Sequence, residues 1–66
     1  MQPHQQRVVE EKADLDVKVA ALQKFIKQSP HFDTLDIGEQ WRLTTQAHIM
    51  VQYSAILGER IAAFTE

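Results

Sequence analysis

Sixty-six residues make one domain at most, below the size at which a single core is comfortably stable, and the absence of cysteine removes disulfides as a supplement. No Cys or His cluster offers a structural zinc site, so oligomerisation is the remaining common supplement. A net charge of −2, with Lys12, Lys18, Lys24 and Lys27 scattered around a helical circumference rather than gathered in a stripe, argues against direct nucleic-acid binding.

Met1–Gln6 is polar where a signal peptide needs an apolar core, and the apolar runs are too short to cross a bilayer. The expectation is a cytoplasmic protein with no membrane contact. Pro3 suits the first turn of a helix, and residues 4–28 contain neither glycine nor proline, so the spacing predicts one helix over 3–28. Val8, Leu15, Val19, Leu22 and Ile26 fall within about 40° of one direction on its wheel, a narrow seam. Lys12 interrupts that seam, which is therefore wet toward its N-terminal end or has the lysine stem snorkelling outward. A second apolar row, Val17, Ala21 and Phe25, is displaced from the first. Glu10, Glu11, Asp14 and Asp16 read as a solvated acidic stretch with no apolar pocket to raise a pKa.

Ser29-Pro30 stops this helix, because the residue before proline is pushed out of the α region. A connection over 29–36 follows, in which Phe32 and Leu35 fold back to close the end of the core. Asp36, with Glu39 three residues on, opens a second helix over 37–64 in the manner of a capping box. Along it Leu43, Ala47, Met50, Ser54, Leu57, Ile61 and Phe64 repeat at intervals of four and three, the rhythm of a helix that lies along another helix. Thr65 and Glu66 are expected to fray. Gly58, inside this helix, costs about 1 kcal/mol relative to alanine, which points to a packing reason.

Two long helices and a short connection make an all-α antiparallel hairpin, a single domain over 1–66. Ile49 and Ile56 lie more than about 100° from Ala47, with Tyr53 between them and the seam, so the apolar arc exceeds what one partner helix covers. With Phe25 on the first helix, this surplus predicts a dimeric four-helix bundle or a higher oligomer, or a face that docks another protein. Trp41, on the side away from the seam, is a further interface anchor, or packs over Phe32 or Leu35.

No catalytic constellation is visible. His4, His31 and His48 fall on separate segments without metal-ligand spacing, and no phosphate loop, GxSxG elbow or HExxH occurs. No cofactor, no metal and no enzymatic activity are expected. Arg42 and Arg60 project in nearly one direction with Tyr53 close to that line, and Arg7 has a comparable offset on the first helix. These four are candidate anion or nucleotide contacts at an oligomer interface, or bridges to acidic residues between subunits.

Gln6-Arg7-Val8-Val9-Glu10-Glu11-Lys12, then Leu15, Leu22, Phe25 and Ile26, with Met50, Tyr53-Ser54, Leu57 and Arg60-Ile61, resemble small helical accessory proteins of tailed phages and prophages. The resemblance covers nearly the whole chain and implies no catalytic residues. It implies a protein of the infected bacterial cytoplasm that acts by binding, and the leading expectation is a self-associating hairpin that binds a host protein and inhibits a host defence system. The alternatives are an oligomeric sponge for a cyclic-nucleotide signal, similar in architecture to helical phage proteins that sequester such signals, and a virion or assembly component.

Overall fold

The computed structural model describes residues 1–65, folded as helix α1 (Pro3–Gln28), a short helix α2 (Pro30–Thr34) and helix α3 (Ile37–Ala62). Pro3 occupies the first turn of α1, where its missing N–H costs nothing. The Gln2 backbone N–H donates to the Gln5 side-chain Oε1 at 2.8 Å, so the start of α1 is closed by its own first turn.

The expected 29–36 connection holds a helix of its own. Ser29 is extended, at φ −83° and ψ 128°, as its proline neighbour requires, and its Oγ accepts from the His31 N–H at 3.2 Å. A residue barred from the α region thus ends α1 and caps α2. The short helix turns Phe32 inward, where its ring meets Phe25 edge-to-face with centroids 6.1 Å apart. Leu35 is half-buried beside it. Asp36 then caps α3 by accepting from the Glu39 N–H at 3.4 Å, and Gln40 Nε2 donates to the Leu35 carbonyl at 2.9 Å. The Glu39 carboxylate accepts from Arg42 Nε at 2.8 Å. The last helix stops at Ala62, short of the expected 64, although the Phe64 N–H still donates to the Ile61 carbonyl at 3.1 Å.

α1 and α3 pack along each other in antiparallel sense. Thr65 lies beyond the end of α3 and is exposed, and its carbonyl accepts from Gln5 Nε2 at 3.2 Å, which links it to the first turn of α1. Glu66, expected to fray with it, lies outside the described residues. The hairpin measures 49 × 15 × 14 Å, a rod whose core is one line of side chains. Val8 and Val19 from α1, Phe32 from α2, and Ala47 and Leu57 from α3 form that line, and Leu57 is its one fully buried large side chain among the described residues.

The seam is crossed by a polar cluster at the Lys12 interruption. Lys12 Nζ donates to Asp16 Oδ2 at 2.8 Å and to Ser54 Oγ at 3.0 Å, while the Ser54 hydroxyl donates to Asp16 Oδ1. The ammonium is therefore turned along the seam onto the facing helix, with its side chain half-buried. A Cβ on Gly58 would stand 3.3 Å from Lys12 Cε, so the glycine makes room for the lysine stem.

Candidate binding site

On a wheel of 100° per residue the spacing Arg7, Glu11, Asp14, Lys18 keeps one face of α1. The fold sets Tyr53 of α3 against that face. Arg7, Glu10, Glu11, Asp14, Leu15, Lys18 and Tyr53 surround an open cavity of about 460 Å³. Its volume lies within the range of small-molecule sites, about 300–1,000 Å³. Two cations and three carboxylates line it, with one aromatic ring and the flank of Leu15 as its apolar part. Such a mixture can pair with an anionic group while accepting hydrogen bonds from hydroxyl or amino groups on the same ligand.

Two of the four candidate anion contacts, Arg7 and Tyr53, come together here although 46 positions separate them in sequence. Arg60 is exposed near the same end of the hairpin. Arg42 is not brought to them: it lies eighteen residues before Arg60 on one straight helix, about 27 Å away, and is held by Glu39. Glu10, Glu11 and Asp14, read from sequence as a merely solvated stretch, line the cavity, as do Leu15 and Lys18. The signal that marks four of these positions is the unbroken spacing of 4, 3 and 4 from Arg7 to Lys18.

The candidate association face stays open along α3. Ile49 is 59% exposed, Tyr53 45% and Ile56 53%, in a row that borders the cavity at Tyr53. Phe25 is half-buried, because Phe32 covers one edge of its ring. Val17 is exposed on the same helix. Trp41 is 67% exposed near the start of α3, next to an exposed Ile37 one turn before it, so it stands as a surface residue rather than packed beneath the turn.

At Asp16 the Lys12 hydrogen bond, then the Ser54 hydroxyl, hold the carboxyl below its ordinary value despite a partial loss of solvation. Lys12 and Ser54 resemble a nucleophile and base only in spacing. The ammonium spends two of its donors on Asp16 and Ser54, and the Ser54 proton points to Asp16. The cluster joins the helices.

Among the described residues, no helix is long and apolar enough to cross a membrane, and no group of three His, Cys, Asp or Glu side chains is placed to hold a metal ion. No curated protein and no solved structure matches the chain. The family model described as Sequestin matches residues 2–63, which takes in all three helices and every candidate contact. The chain belongs to the Sequestin family, whose name suggests the binding or sequestering of a partner.

Proposed function

We propose that this protein is a non-enzymatic sponge that self-associates and sequesters a phosphate-bearing small molecule of the cyclic-nucleotide class, in the setting its phage resemblance implies, the cytoplasm of an infected bacterium. The observation that carries this reading is the cavity that joins Arg7 and Lys18 to Tyr53. In it, guanidinium and ammonium groups pair with phosphate, the phenol ring offers a face for a base, and Glu10, Glu11 and Asp14 accept from ribose hydroxyls and base amino groups. The sequence alone put host-protein binding first. The cavity, together with membership in a family named for sequestration, moves the small-molecule reading ahead of it.

The test is calorimetric titration of the protein with a panel of cyclic nucleotides, followed by denaturation and mass analysis of what is released. The expected result is saturable binding of one class and its release chemically unchanged. Arg7→Ala should weaken binding roughly tenfold or more, the scale of one lost charge-assisted hydrogen bond of about 1.5–3 kcal/mol. No heat across the panel would sink the sponge reading. Conversion of the nucleotide would instead make the protein an enzyme.

A second reading has its own observation, the exposed row Ile49, Tyr53 and Ile56 with Trp41 beyond it. Those side chains fit a host protein docked on α3 and inhibited there. In that case Ile49→Asp abolishes inhibition while the oligomer stays intact.

A further inference from the structure

The two flanks of the seam between α1 and α3 are closed to different degrees. On a wheel of 100° per residue, Asp16 and Lys18 lie about 160° apart on α1, one on each side of the seam. On the Asp16 side the helices are joined by polar groups. Lys12 Nζ donates to Ser54 Oγ, the Ser54 hydroxyl donates to Asp16, and Gly58 leaves the lysine stem its space. On the Lys18 side the helices stand apart around the cavity of about 460 Å³, whose walls include Tyr53, 45% exposed, and the half-buried Leu15.

Hydrophobicity alone does not produce this asymmetry. The apolar arc of α3 runs from Ile56 and Ile49 through Tyr53, Leu57 and Met50 to Ala47, about 180° in all. A neighbour drawn only by apolar surface would settle over the middle of that arc and leave its two ends equally open. The ends are unequal. Ala47 is 5% exposed at one, and Ile56 is 53% exposed at the other. Past Ala47, where the arc has ended, Gly58 and Thr44 are still half-buried. Helix α1 is therefore displaced toward the small and polar flank of α3.

We propose that Lys12, Asp16 and Ser54 clamp one flank of the seam and thereby hold the Arg7–Tyr53 cavity open on the other. None of the three lines the cavity, so they are positioning residues that act through the roll of α3 about its own axis. Ser54 and Tyr53 are consecutive and lie on opposite sides of the seam. A roll that turns the ring inward toward Leu15 carries the hydroxyl away from Lys12 and Asp16.

Such a roll is resisted because the Ser54 hydroxyl is buried and bonded to two charged groups, as donor to one and acceptor from the other. Among the described residues these are the side-chain hydrogen bonds that join α1 directly to α3, since Gln5 reaches Thr65 past the end of that helix. The clamp does not depend on what the cavity binds.

The chain has one tyrosine, so incorporation of 3-fluorotyrosine places a single fluorine reporter at position 53. The difference in its chemical shift between H2O and D2O reads the exposure of the ring. Ser54→Ala removes both cross-seam bonds, keeps the side chain small and leaves Lys12 paired with Asp16 on α1. Lys12→Met, which keeps the length of the stem, is a second variant. Circular dichroism and sedimentation accompany the fluorine measurement for both variants and the wild type, with no nucleotide present.

Both variants should remain helical, and the isotope shift should fall roughly twofold or more from that of the 45% exposed ring as Tyr53 closes onto Leu15. If either variant is folded and keeps the wild-type isotope shift, hydration of the charged rim holds the cavity open and the clamp is overturned. A fall that accompanies a heavier sedimenting species and disappears on dilution reports association, and overturns it as well. If neither variant folds, the cluster carries the fold rather than its roll, and the proposal fails. Each of these outcomes leaves the sequestering function to its own test.

Discussion

The two apolar rows of α3 have nearly the same chemistry and opposite fates. The row through Ala47, Ser54 and Leu57 is buried against α1, while Ile49, Tyr53 and Ile56, just around the same helix, stand in solvent. A straight helix of 26 residues can bury only the arc that its neighbour covers. The difference teaches that burial in this hairpin is rationed by the number of helices, not by the hydrophobicity of the side chains. The inner row supplies folding, and the outer row stays exposed.

The sharpest way to break the comparison is to truncate one neighbour in each row. Leu57→Ala, at 0% exposure, should lose about 2–5 kcal/mol of stability in urea denaturation. Ile56→Ala, at 53% exposure, should leave the folding of the separated chain nearly unchanged, within about 0.5 kcal/mol, and weaken self-association in sedimentation. Equal losses in the dilute, dissociated chain would mean that the outer row belongs to the folding core.

Gly58 gives a smaller effect within the inner row. Alanine there recovers up to about 1 kcal/mol of helix propensity. Its Cβ meets only Lys12 Cε, at 3.3 Å, and a lysine terminus moves by a few tenths of an ångström at little cost. A modest rise in Tm is expected from Gly58→Ala. A fall would show that the Lys12 position is held more rigidly than its two hydrogen bonds imply.

The smallest effect is the pH response of the polar cluster. Asp16 is held below its ordinary value in the folded chain, so the unfolded state binds its proton first as pH falls. The stability it contributes is therefore present above the unfolded carboxylate value and disappears as pH drops through the folded one. Because the group is largely exposed, the change should be slight, visible as a shallow acid limb in stability against pH that Asp16→Asn flattens.

Much of this molecule is legible without its structure. Pro3, the break at Ser29-Pro30 and the Asp36 cap are local chemistry, and each fixes a helix end within a residue or two of where it falls. The unbroken repeat from Leu43 to Phe64 picks out the buried face of α3, and none of its seven members is exposed. The short helix α2 was less legible, because five residues are too few for periodicity to register and its formation depends on the Ser29 cap and on Phe32 finding Phe25.

The candidate site divides along the same line. Sequence determined the helix faces, since residues three and four apart must share a side whatever surrounds them, and so it joined Arg42, Tyr53 and Arg60 by direction. Tertiary structure alone decided what those faces meet. The antiparallel register that ties Gln5 to Thr65 and Lys12 to Ser54 sets Tyr53 at the edge of one cavity with Arg7 and the acidic residues of α1, and leaves Arg42 at the far end of the rod. Direction around a helix follows from local geometry, whereas the level at which two helices lie alongside each other is fixed only by the contacts between them, here a lysine resting against a glycine.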